Sequence, residues 1–81
     1  MNFEQTYEIK KGTLIKVARQ EVYLTRTLIA NEGEDVLFLS DTIAPFYPKE
    51  RWHLVEFIGM FKGIISRMSM YRHEFKIFEE F

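Results

Sequence analysis

The stretch Trp52 to Ser66, WHLVEFIGMFKGIIS, constrains what this chain can fold into more than any other segment. Two apolar-rich runs meet at Gly59-Met60, a Gly-X pair whose first residue supplies the positive φ that a type II′ turn demands. With that pair as the loop, Ile58 is expected to face Phe61, Glu56 to face Gly63 and Leu54 to face Ile65, with Val55 opposite Ile64 on the other side.

A helix competes for the same residues. Pro48 can occupy a first helical position, and Trp52, Val55, Ile58, Phe61, Ile65, Met68, Tyr71, Phe75 and Phe78 fall at helical spacing. Gly59 and Gly63 oppose it, each costing about 1 kcal/mol inside a helix. Strong helix formers such as Ala and Leu are also scarce there. Strands explain both glycines, so an all-β fold is expected, with an N-terminal β-meander followed by a long C-terminal helix (α+β) as the alternative.

Upstream, Lys11-Gly12 opens a β-branched strand at Thr13–Val17, after a polar N-terminal segment. Val22–Ile29 is rich in β-formers with imperfect alternation, as in a bent strand or a long ordered loop. Asn31–Asp35 is a turn, and Val36–Leu39 has the length and bounds of a buried strand. Pro45 and Pro48 exclude a central strand between Asp41 and Arg51 and mark a surface loop. His73–Phe78 closes the chain as a strand, with Phe75 and Ile77 on one face and Phe78 on the other.

Eighty-one residues make one domain, near the lower limit for a core without disulfides or metal. Eight Phe and an aromatic content of 16% compensate, because each large ring buries much area. The absence of cysteine removes disulfide and thiolate chemistry and fits a reducing, cytoplasmic setting. No export signal and no run near the roughly 18 apolar residues of a membrane span is visible, so no membrane partner is expected.

The order Lys-Gly-Thr-Leu-Ile-Lys-Val, an irregular excursion, Val-Leu-Phe-Leu, a loop, Trp-His-Leu-Val-Glu-Phe, a tight turn and Lys-Gly-Ile-Ile-Ser resembles a small Src-homology-3-like barrel of the bacterial and phage type. Trp52, Val55, Gly59, Gly63, Ile64 and Ile65 stand where such barrels have a Trp-x-x-Val strand and a glycine-containing hairpin ending in a β-branched pair. The resemblance covers roughly residues 11 to 78 and implies a barrel of about five antiparallel strands. Signalling members of that family grip proline-rich ligands on an aromatic groove. The present chain lacks their Ala-Leu-Tyr-Asp-Tyr motif and the proline before the binding tyrosine, and only Trp52 and a displaced Tyr71 carry over.

No catalytic constellation is present. Ser40, Ser66 and Ser69 lack a nucleophile-elbow context, and the paired carboxylates sit in a turn or at the tail. His53 and His73 have no convergent ligands at metal spacing, so neither metal nor cofactor is expected. The expected role is a non-enzymatic protein-binding or modulator module, in the manner of a phage accessory protein acting on a host protein. Its candidate contact residues are Phe46, Tyr47, Trp52, Met60 and Tyr71, rigid aromatics being enriched at interface centres and Met60 being placed at a turn tip. An edge strand offers a homodimer contact or a place for a partner's strand, and Phe81 a subunit contact. The alternatives are a virion or assembly component and a small nucleic-acid-binding barrel. In the latter, Lys10, Lys11, Lys16, Arg19 and Arg26 would meet phosphates while Tyr23 stacks on a base. A net charge of -1 gives that second role no global electrostatic drive.

Overall fold

The computed structural model describes residues 6–45 and 54–77, and within them the chain is all-β. Strands β2 (Leu14–Val17), β5 (Asp35–Phe38), β7 (Leu54–Phe61), β8 (Ile64–Tyr71) and β9 (Phe75–Ile77) form a five-stranded antiparallel sheet in the order β8-β7-β5-β2-β9. Two short antiparallel pairs accompany it: β1 (Thr6–Ile9) with β6 (Thr42–Pro45), and β3 (Val22–Tyr23) with β4 (Ile29–Ala30). One turn of 3₁₀ helix, Arg72–Glu74, joins β8 to β9, and its Glu74 carboxylate accepts the Tyr71 N–H at 2.9 Å, satisfying a donor at the helix start. Among the described residues, no helix is long and apolar enough to cross a membrane.

Strands replace the alternative long helix after Pro48, but the hairpin turns three residues later than Gly59-Met60. The loop is Lys62-Gly63, with φ of 51° and 82°, the two positive values of a type I′ turn. Phe61 pairs with Ile64, Met60 with Ile65 and Leu54 with Tyr71, so the expected pairings around Gly59-Met60 are replaced throughout. The longer register wins because two eight-residue arms bury Phe57, Phe61, Met68 and Met70 together while Lys62 reaches solvent at the tip.

Gly59 is therefore a strand residue, chosen for close approach. It lies opposite Phe38 in the β5–β7 pair, and the Phe57 ring passes over it to stack on Phe38 at a centroid distance of 4.0 Å and 9° between planes. A Cβ at Gly59 would stand 2.7 Å from Phe57 Cε2 and 3.0 Å from Met68 Sδ. Glycine inside a strand is tolerated where another group needs that space.

The inner face of the sheet carries the core. Ile15 and Val17, Val36 and Phe38, Val55, Phe57 and Phe61, Met68 and Met70, and Phe75 alternate inward along their strands. Val22, Leu24 and Ala30 close over them from the β3–β4 hairpin, so Val22–Ile29, expected as a bent strand or a long ordered loop, belongs to a small hairpin. Its tip is locked locally: Leu24 N–H donates to Leu28 O at 2.8 Å, and Thr25 Oγ1 accepts the Thr27 and Leu28 N–H groups.

Three further expectations change. The polar N-terminal segment supplies β1, whose Ile9 is buried, because β6 offers it a ladder. The proline-bearing stretch begins with a strand, β6, which the prolines confine to a two-stranded pair, consistent with their lost backbone donor. The sheet is open, with β8 and β9 as unjoined edges, so the described residues do not close a barrel.

Candidate functional site

The register places a row of apolar side chains on the outer face, opposite the core. Leu14 pairs with Leu37, Leu37 with Met60 and Met60 with Ile65, crossing β2, β5, β7 and β8 in one line. The row is most exposed at its ends, Leu14 at 40% and Ile65 at 63%, and Ile65 stands on the sheet edge. Charges bound the row on one side. Lys16 Nζ lies 2.9 Å from Asp35, and Lys62 Nζ lies 2.7 Å from Glu34 at the hairpin tip. The Lys62 bond, followed by the Asn31 N–H donated to the same carboxylate, holds the Glu34 carboxyl below its ordinary range.

The edge strand β8 has two kinds of backbone groups. Ile64, Ser66, Met68 and Met70 alternate with residues whose N–H groups point away from β7, as antiparallel ladders require. Two of those outward donors are used: Ser69 N–H bonds Leu24 O at 3.0 Å, and Tyr71 N–H bonds Glu74. The same alternation turns the Ile65 and Arg67 N–H groups outward, where no described strand pairs with them. Where this edge meets the β3–β4 hairpin, Tyr23, Leu24, Arg26, Glu56, Arg67 and Ser69 help to line an open cleft of about 610 Å³, and a second of about 340 Å³ adjoins it across Glu56 and Arg67.

Of the residues proposed as a contact patch from sequence, Phe46, Tyr47 and Trp52 lie outside the described residues, as do His53, Phe78 and Phe81. Met60 is not at the turn tip but is the penultimate residue of β7, half-buried within the apolar row. Tyr71 is 41% exposed at the far end of β8, its ring 6.1 Å from that of His73. Met60 and Tyr71 are thus separated by about six strand positions, or about 20 Å along the ribbon at the usual rise.

The cations proposed for phosphate contact do not form one field. Lys10, just after β1, pairs with Glu8 at 3.6 Å, and Lys16, on β2, pairs with Asp35. Arg19 is exposed, Lys11 donates its backbone N–H to Asp41, and Arg26 lies with Tyr23 on the β3–β4 hairpin. Among the described residues, no group of three or more His, Asp or Glu side chains gathers to hold a metal.

None of Leu14, Leu37, Ile65 and Arg67 is expected from sequence as a contact residue. The signal that would have found them is the Lys62-Gly63 dipeptide, since placing the turn there aligns Met60 with Ile65.

No protein-family model, curated protein or solved structure matches this chain.

Proposed function

We propose that this protein is a non-enzymatic protein-binding module whose docking element is the outer edge of β8. The observation that carries the reading is the coincidence of outward Ile65 and Arg67 backbone groups with an apolar row that runs across the sheet and ends at Ile65. Unpaired strand edges accept a further strand readily, and natural sheets usually blunt them. The order of the five strands, with an excursion after the first and a tight hairpin before the last, supports the Src-homology-3-like arrangement as the scaffold.

The nucleic-acid alternative is less well supported, because acids sit beside Lys10 and Lys16 and because Tyr23 and Arg26 are the only members of that set on the cleft.

The test is site-specific photocrosslinking in the cells that make the protein. A photoreactive residue at position 65 is expected to give discrete protein adducts that the same residue at Glu32, in the exposed turn, does not give. Adducts made only of nucleic acid would refute the reading, and so would adducts made equally from both positions.

A further inference from the structure

Within this protein-binding reading, on which the inference rests, we propose that the outer edge of β8, unpaired among the described strands, takes an extended acidic peptide as an antiparallel strand. The peptide carries Asp or Glu opposite Arg67 and, two residues later, an aliphatic β-former opposite Ile65.

The edge sets the geometry. Ile65 and Arg67 are alternate residues whose backbone groups face outward and whose side chains share the outer face. A peptide bonding to both must place the two facing side chains two residues apart. Antiparallel direction puts the partner of Arg67 before the partner of Ile65. Leu24 O already occupies the Ser69 N–H, so pairing stops there and the peptide's N-terminal part turns into the cleft that holds Arg26 and Tyr23.

Chemistry sets the residue types. An aliphatic residue opposite Ile65 extends the row of Leu14, Leu37, Met60 and Ile65 by one strand and covers its most exposed member. Arg67 is exposed, and among the described residues neither its guanidinium nor that of Arg26 has an ion-pair partner. Glu56, diagonal to Arg67 across β7, shares both clefts with it but makes no ion pair with it. A carboxylate directly opposite Arg67 therefore supplies a pairing that Glu56 does not, and opposite charges facing each other across strands are favourable. Charge complementarity also disfavours a second copy as the occupant. Ile64–Tyr71 contains no acidic residue, so pairing β8 with itself leaves Arg67 uncompensated.

The experiment selects binders to the full chain from an unbiased library of short displayed peptides, then follows backbone amides by NMR. Selected peptides are expected to share an acid two residues before Val or Ile, and to slow hydrogen exchange at the Ile65 and Arg67 amides. Arg67→Glu should weaken those peptides roughly fivefold or more, and repeated selection on it should choose Lys or Arg at the acidic position. Ile65→Pro, which removes an outward edge donor, should abolish binding with the remaining amide spectrum preserved. Peptides that bind elsewhere, or show no acid preference that follows Arg67, overturn this inference while leaving a protein-binding module. If no peptide is enriched and only nucleic acid crosslinks at position 65, the inference and the reading beneath it both fall.

Discussion

Replacing Gly59 by Ala tests whether this glycine was kept for space or for a turn. Its new Cβ would lie 2.7 Å from Phe57 Cε2, about 1 Å inside ordinary carbon contact distance. The Phe57 ring cannot simply swing away, because it is stacked on Phe38, which is fully buried. Overpacking of this kind costs about 1–3 kcal/mol, and the smaller backbone entropy of unfolded Ala returns about 0.4–1 kcal/mol. A net loss of about 1–2 kcal/mol is expected. For a domain of this size, that lowers Tm by roughly 4–16 °C, readable by circular dichroism melting. Phe57→Leu removes the ring that the Cβ would strike. In that background Gly59→Ala should be neutral or stabilising, giving a coupling of about 1 kcal/mol or more in the double-mutant cycle. A Gly59→Ala protein as stable as the parent, or single effects that add within about 0.5 kcal/mol, would refute the close-packing argument.

Gly63→Ala should also destabilise the hairpin, by about 1–2 kcal/mol in denaturant melts, through its φ of 82° and not through contact, because a Cβ there meets nothing within 4 Å. No change at Phe57 should rescue it. Glu34 should titrate below the ordinary carboxyl range when followed by carbon-detected NMR, and Lys62→Ala should raise its midpoint. Since folding depresses this pKa, the associated stabilisation is present above the ordinary carboxyl range and is lost as pH falls through the folded value. A melting series in which Lys62→Ala abolishes none of that acid dependence would contradict the assignment.

Residue pattern favoured strands over a long helix after Pro48, and Leu54–Phe61, Ile64–Tyr71 and Phe75–Ile77 are strands. Gly59 and Gly63 penalise a helix, and the alternation of Val55, Phe57 and Phe61, and of Met68 and Met70, lets a pleated ribbon bury them on one side. The buried strand at Val36, the turn before it and the closing strand at Phe75 were legible for the same reason: each is bounded by residues whose backbone preferences are strong and local. The turn itself was not fixed locally, because Gly59-Met60 and Lys62-Gly63 both offer a glycine. Tertiary packing decided between them, since only the later turn lets Gly59 sit beneath the Phe57–Phe38 stack.

That shift also decided the candidate site. A register difference leaves Met60 in the sequence unchanged but moves it from a loop tip to the middle of a row ending at Ile65. The pairing of β1 with β6, the open sheet and the outward Arg67 amide depend on contacts between segments distant in the chain. Sequence periodicity reports which face of a strand is apolar; which strand lies beside it, and which edge is left without one, is set only when the whole sheet assembles.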